Sequence, residues 1–317
     1  MINYYTIRDF VLYSMTDEEV KNGDLTPLWV DITDPTIEEK KIIAAIFNIS
    51  ISSSNEIAPI KMPSCYYQQK GQVFSKINIV VDEHNMHAIS IILTKDQIFT
   101  TQLKDFSSSQ EYLNYAIQNS NEILTPNAIF SYLIEARIND IEENLNKTAS
   151  SLELLSTEIF YQKEKDNLNL KDNINSLGKY GHVLSKHHES LISIRRSLSF
   201  LANSQQINST ALELEKFNDL LSQVSLLEEH LSFLSDKISF LLDITFGLID
   251  IEQSAISKVL SIAALIFLPP AIIAGIYGMN FDKIPLLHWN YGFPTSLLII
   301  VISAMLPYSL CKLKRWI

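Results

Sequence analysis

Charge is missing from two long runs near the end of this chain. Among its 317 residues, none from Val259 to Phe281 is Asp, Glu, Lys or Arg, and the run from Ile284 to Cys311 is uncharged as well. At about 1.5 Å rise per residue the first run spans roughly 30 Å as a helix, the thickness of a bilayer core. Two such runs closing a polar chain leave no soluble partner to bury them, which favours membrane spans over buried core helices. Cysteine is scarce. Cys65 and Cys311 stand far apart, which supports neither a disulfide framework nor a CxxC metal site. No proline occurs from Asn127 to Leu268, and only Gly178, Gly181 and Gly247 interrupt that stretch, so little in it breaks a helix. Nucleotide-binding glycine loops, a nucleophile elbow and HExxH are all absent, so an enzyme or a binder of small organic substrates has no support.

The net charge of −11 argues against nucleic acid as a partner. It is compatible with cations, although ordinary solubility accounts for it equally. The opening MINYYTIRDF is too polar for the apolar core of a secretory signal. Lys312, Lys314 and Arg315 follow the second uncharged run, while only Asp282 and Lys283 stand between the runs, so the positive-inside bias places both termini in the cytoplasm. The large N-terminal part is therefore expected to be cytosolic and reduced.

Strand-like composition marks Val11 to Met15, Leu28 to Ile32, Val73 to Val81, Ile89 to Thr94 and Gln97 to Leu103. Between them, DPTIEEKKIIAAIF is expected to be a helix with Asp34 as N-cap and Pro35 at its first position. A cytosolic α/β domain over 1–124 and a helical hairpin over 125–208 are expected. Breaks fall at the cap-forming clusters Asn167 to Asp172 and Asn203 to Ser209. A stalk helix over 209–257 continues into a first transmembrane helix over 258–280, then a loop over 281–292, a second transmembrane helix over 293–312 and a basic tail over 313–317. Such a helix of nearly 70 residues would measure about 100 Å and needs partners along its length, which oligomerisation in the membrane plane would supply. His182, His187 and His188 lack a carboxylate or cysteine to complete a ligand set, and neighbouring helical histidines point apart, so they are read as a solvated helix face.

Within the first span, Pro269 and Pro270 remove backbone donors, and Ala271, Gly275 and Gly278 are small residues near helical spacing. Helix packing alone accounts for both features. The longer run IIAGIYGMNFDKIP, followed by WNYGFP at Trp289 to Pro294 and by the terminal KLKRW, resembles the pore end of the CorA family of magnesium and cobalt transporters, whose signature is GMN. LWVDITDPT at Leu28 to Thr36 is similar to the cytosolic domain of bacterial members, and FNDL at Phe217 to Leu220 and LLD at Leu241 to Asp243 fit the family's stalk helix.

The resemblance implies a funnel-shaped homopentamer in a bacterial-type inner membrane. Each subunit would have an α+β cytosolic domain in α/β/α layers, a long helical stalk and two transmembrane helices. The first spans would line the pore, with Ser254, Ser257, Leu260, Leu268, Ala271 and Gly275 at pore-lining and gate positions, and Lys312, Lys314 and Arg315 would form a basic ring at the cytosolic membrane edge. Gly278, Met279 and Asn280 would surround the outer mouth, with Asp282 supplying loop charge. Asp219 would hold a regulatory divalent ion opposite an acid such as Asp105, keeping the pore closed.

Mg²⁺ would be both substrate and regulator, with Co²⁺ or Ni²⁺ tolerated. The chemistry suits that cargo. Mg²⁺ gives up water reluctantly, so an amide ring that hydrogen-bonds its hydration shell binds it without trapping it, and a glycine lets carbonyls face the axis. Met279 is expected to pack the turn, because a thioether is a poor ligand for a hard cation.

The chain also departs from the pattern. Ser254 stands where an Asn is common, Ala271 where a Thr is common, Ser257 replaces a bulkier residue, and the loop keeps Asp282 but has Lys283 beside it and Leu286 where another acid is common. These changes, with His288, keep open a Zn²⁺-moving relative, and a non-conducting membrane-anchored scaffold or Mg²⁺ sensor is the alternative outside transport.

Overall fold

β-branched and aromatic residues become strands over most of the N-terminal region, and threonine-glutamate pairs start its helices. The computed structural model describes residues 2–8, 11–22, 26–47, 49, 66–69, 71–81, 85–102, 125–161, 170–204, 210–279, 284–286 and 289–314. Seven strands are present among them: β1 (Ile2–Arg8), β2 (Val11–Met15), β3 (Trp29–Thr33), β4 (Tyr66–Gln69), β5 (Gln72–Val80), β6 (Met86–Leu93) and β7 (Ile98–Gln102). They form one sheet in the order β2-β1-β3-β7-β6-β5-β4. Every pairing is antiparallel except β3 with β7, where Trp29 faces Ile98 and Thr33 faces Gln102. β1 and β4 were not anticipated from composition, because Ile2–Arg8 and Tyr66–Gln69 mix tyrosines with polar residues and gain their strand character from their neighbours in the sheet.

Short helices α1 (Asp17–Asn22) and α2 (Ile37–Phe47) each begin with a capping box. In α2 the Thr36 N–H donates to Glu39 Oε2 at 2.8 Å and the Glu39 N–H donates to Thr36 Oγ1 at 3.2 Å. The Thr36 amide holds the Glu39 carboxyl below its usual range. The expectation of Asp34 as N-cap and Pro35 as first helical residue is therefore corrected. Asp34 turns the chain at φ 43° before the helix, and Thr36 caps it because only Thr36 stands three residues before Glu39. Ile43 of α2 packs on one sheet face with Tyr4, Val30, Ile32, Phe74, Ile92 and Phe99.

Four long helices follow, α3 (Pro126–Tyr161), α4 (Leu170–Ala202), α5 (Ala211–Tyr277) and α6 (Gly292–Leu313), and the first two of them meet the opposite sheet face. α4 packs on β5 and α3 touches β7, which completes the α/β/α layering. The α4–β5 seam is polar. Ser75 Oγ and Ser197 Oγ lie 2.6 Å apart, Ser190 Oγ donates to the Asn78 carbonyl at 2.7 Å, and the Asn78 N–H donates to Ser193 Oγ at 3.0 Å. Beneath β3, Thr100 Oγ1 donates to the buried Asp31 carboxylate at 2.6 Å and accepts the Trp29 indole N–H at 3.0 Å.

Within the unit Met1–Leu242, α3 and the start of α5 run parallel. Phe130 meets Phe217, Glu135 pairs with Lys216 at 2.7 Å, and Glu153 pairs with Lys237 further along both helices. The bundle core takes Leu145, Leu152 and Ile159 from α3, Leu184, Leu191 and Leu198 from α4, and Phe217, Leu220 and Val224 from α5, each spaced by three or four residues or by seven. His187 joins that core at 3% exposure, which corrects its reading as part of a solvated face. Its position on α4, seven residues before Ile194 and three after Leu184, is a core position, whereas His182 and His188 are exposed. The second unit, Asp243–Ile317, contains the rest of α5 and all of α6.

Candidate ion-conducting segment

The 67-residue helix α5 has no break between Ala211 and Tyr277, even though it contains Pro269 and Pro270. Those prolines have no N–H, so the carbonyls of Leu265 and Ile266, four residues earlier, receive no helical hydrogen bond from them. Apolar neighbours favour the helix on either side. α5 and α6 are both long and apolar enough to cross a membrane.

Ser254, Ser257, Leu260, Leu268, Ala271 and Gly275 all lie on α5 and all are exposed, Leu260 at 71% and Leu268 at 60%. At about 100° per residue they fall within an arc of roughly 120°, so one face of the helix carries them all. The helix closes just before the signature. The Gly278 N–H donates to the Ala274 carbonyl at 2.9 Å and the Met279 N–H to Ile276 at 3.2 Å, closing the last turn. A Cβ on residue 278 would stand 3.2 Å from the Ala274 carbonyl oxygen, so the close final turn favours glycine. Met279 is half exposed, at 50%.

Asn280, Asp282, Asp105 and Arg315 lie outside the described residues. Asp219 is exposed on α5, Lys312 lies in the last turn of α6, and Lys314 follows it. Among the described residues no group of three or more His, Cys, Asp or Glu is placed to hold a metal ion.

Two features of α5 escaped the sequence reading. Glu229, Asp236, Asp243 and Asp250 recur every seven residues and are all exposed, a period that was available to inspection. Lys258, just before the first uncharged run, lines a cleft of about 560 Å³ with Ser261, Ile262 and Leu265.

A mixed sheet between helical layers, an uninterrupted helix that closes on the Gly278-Met279 turn, and a second apolar helix define a two-span membrane protein with a large N-terminal domain. The sequence profile described as "CorA-like Mg2+ transporter protein" matches residues 24–315, and the chain belongs to that family. Relatives named magnesium transport protein CorA are 25% identical over 329 residues in Wolinella succinogenes and 26% identical over 323 residues in Haemophilus influenzae, each match covering both chains completely. Among solved structures, the complete CorA magnesium transporter of Methanocaldococcus jannaschii has a TM-score of 0.73 at 19% identity, covering 100% of this chain and 98% of that one. The cytoplasmic domain of ZntB from Vibrio parahaemolyticus has a TM-score of 0.53 at 10% identity, covering 78% of this chain and 97% of the other. These structural likenesses establish the fold.

Proposed function

We propose that the chain conducts Mg²⁺ across a membrane down its electrochemical gradient, as one subunit of a homopentamer. The observation that carries this reading is the unbroken helix from Ala211 to Tyr277, ending on the Gly278-Met279 turn that leads into Asn280, in a chain matched by the transporter family's profile over 24–315. Five copies of the face holding Ser254 to Gly275 would surround the path, with α6 outside it. A residue 258–280 span then lines the pore, 281–292 forms the outer loop and 293–312 the second span. Exposed Leu260 and Leu268 form the apolar constriction, and small Ala271 and Gly275 leave room for a hydrated ion.

Asn280 presents an amide to the ion's water shell at the mouth. Asp243 and Asp250 give the opposite end of the helix face a negative lining. The membrane potential supplies the work, about 4.6 kcal/mol for a divalent ion at 100 mV. Lys312, Lys314 and Arg315 hold the second span's end at the anionic cytoplasmic surface, so both termini are cytoplasmic. Asp219 opposite Asp105 is the regulatory pair, bridged by internal Mg²⁺ when the channel is closed.

Flux into liposomes containing the purified protein tests the reading, with Mg²⁺, Co²⁺, Ni²⁺ and Zn²⁺ compared with and without Asn280→Ala. Potential-driven Mg²⁺ uptake that the substitution abolishes is the expected result. Zn²⁺ uptake that depends on a proton gradient would move the protein to the Zn²⁺ alternative. No flux at any potential or internal Mg²⁺ level would leave a non-conducting scaffold or sensor.

A further inference from the structure

Between Lys237 and the end of α5 at Tyr277 there is a single basic residue, Lys258. It stands at the edge of the bilayer-length uncharged run that begins at Val259. A lysine there is costly unless its ammonium reaches water, a carboxylate or a lipid phosphate. No carboxylate is at hand. The helix neighbours three and four residues away, Ser254, Ala255, Ser261 and Ile262, carry no charge. The nearest acid on the helix, Glu252, is six residues earlier, about 9 Å along the axis and roughly 120° around it. Lys258 is exposed, and among the described residues no ion pair or hydrogen bond engages its ammonium.

The lysine also borders a concave surface. With Ser261, Ile262 and Leu265 it lines the cleft of about 560 Å³, inside the roughly 300–1,000 Å³ of clefts that hold small ligands. Positions 258, 261, 262 and 265 are spaced by three, four and seven, so they form one stripe along α5. That stripe is graded. The ammonium comes first, the Ser261 hydroxyl follows one turn on, and two aliphatic side chains extend it further into the uncharged run. Ser261 Oγ donates to the Ser257 carbonyl at 2.8 Å, which leaves the oxygen's lone pairs to accept a hydrogen bond.

Phosphate, polar glycerol and acyl chain follow one another in a phospholipid in the same order. Charge complementarity selects an anionic one, because a zwitterionic headgroup brings its own cation to compete with Lys258. We propose that this cleft is a binding site for an anionic phospholipid, its phosphate paired with the Lys258 ammonium and an acyl chain lying on Ile262 and Leu265. The site needs the two-span membrane arrangement and is independent of conduction.

Native mass spectrometry of the full-length protein in detergent tests it, by measuring dissociation constants for phosphatidylglycerol and phosphatidylcholine. The native protein is compared with Lys258→Gln, Lys258→Arg and Leu265→Trp. The glutamine removes the charge, whereas the tryptophan fills the cleft and keeps the charge. The native protein is expected to bind phosphatidylglycerol about fivefold more tightly than phosphatidylcholine, the worth of one lysine beside an anionic lipid surface. Lys258→Arg should keep that preference, and Lys258→Gln should bring the two lipids within about twofold of each other. Leu265→Trp should weaken phosphatidylglycerol several-fold while eluting from size exclusion as the native protein does. Equimolar glycerol 3-phosphate should displace none of the lipid.

Equal native affinity for the two lipids, or a preference that survives Lys258→Gln, overturns the proposal. Native-like phosphatidylglycerol binding in Leu265→Trp overturns it as well, since that result describes attraction to a charged surface without a cleft. Displacement by glycerol 3-phosphate would assign the cleft to a soluble phosphate compound and overturn the lipid. If Lys258→Gln does not elute as the native protein does, Lys258→Arg and Leu265→Trp decide by the same criteria. A protein that binds the lipid but passes no Mg²⁺ loses the channel reading and keeps this site. One that conducts Mg²⁺ but does not distinguish the lipids loses only this site.

Discussion

Glu213, in the first turn of α5, accepts a hydrogen bond from the hydroxyl of Thr125, the residue that caps α3. The same carboxylate accepts the Thr210 N–H at 2.7 Å and Asn127 Nδ2 at 3.4 Å. Because α3 and α5 are parallel, their positive ends meet at one negative group. Glu213 therefore closes a local capping box and also joins the exit of the α/β domain to the start of the long helix. Glu213→Ala is expected to lower stability by about 1–2 kcal/mol, measured by thermal or denaturant unfolding of the detergent-solubilised protein. Glu213→Gln keeps an acceptor and should lose less. Equal losses in the two variants would show that charge at the helix ends, and not the shared acceptor, matters.

The serine pair across the α4–β5 seam makes a non-additive prediction. Ser75 and Ser197 are 3% and 0% exposed and satisfy each other. Ser197→Ala leaves the Ser75 hydroxyl buried without that partner and is expected to cost about 1–3 kcal/mol, and Ser75→Ala should behave alike. Removing both should cost clearly less than the two losses summed. Simple additivity in a double-mutant unfolding cycle would refute the pairing.

Stability should fall in mild acid because of His187. Burial lowers its pKa below the ordinary 6.5, and its Nδ1 has no hydrogen-bond partner among the described residues. Above about pH 6.5 the imidazole is neutral in both folded and unfolded chains and adds no pH dependence. As pH drops below that value the unfolded chain binds a proton that the folded one resists, so stability declines until the folded-state pKa is passed. Melting temperatures measured between pH 7.5 and 5.5 should fall less steeply in His187→Leu than in the native protein. Identical slopes would place the acid sensitivity elsewhere.

Leu226 and Phe233 sit seven residues apart on α5 and are each 63% exposed, on the side opposite the bundle core. In a lone chain, replacing either by serine should change stability by no more than about 0.5 kcal/mol. In a pentamer built around α5 they would face neighbouring copies. The double substitution Leu226→Ser with Phe233→Ser is expected to shift sedimentation in detergent toward smaller species while helical circular dichroism holds. An unchanged pentamer would remove this face from the interface.

Asp219 supplies the regulatory prediction. If Asp219 holds the proposed regulatory ion, Asp219→Ala should require several-fold more internal Mg²⁺ to close, because the bridging site would lose a carboxylate ligand. Closure at the native concentration would assign regulation to other residues.

Much of the fold was legible because its signals are local. The uncharged runs mark α6 and the end of α5, and the absence of proline from Asn127 to Leu268 foreshadows α3, α4 and most of α5. The Thr-x-x-Glu boxes at Thr16, Thr36 and Thr210 also stand in plain view, and overlooking the second placed the cap at Asp34. His187 was misread for a different reason. Helical spacing puts it on a definite side of α4, but which side is covered depends on elements distant in sequence.

Sequence alone determined where helices and strands can exist, where apolar length suffices for a bilayer, and which short motif ends the first span. These follow from covalent geometry, charge and nearest-neighbour spacing. Only the tertiary structure decided that β3 pairs parallel to β7, that Glu213 serves two helices, that Ser75 finds Ser197, and that Gly292 must be bare because the Leu286 carbonyl passes over it. Each of these is a contact between segments whose own sequences are equally content without it, and such a contact is settled by the packing of the whole chain.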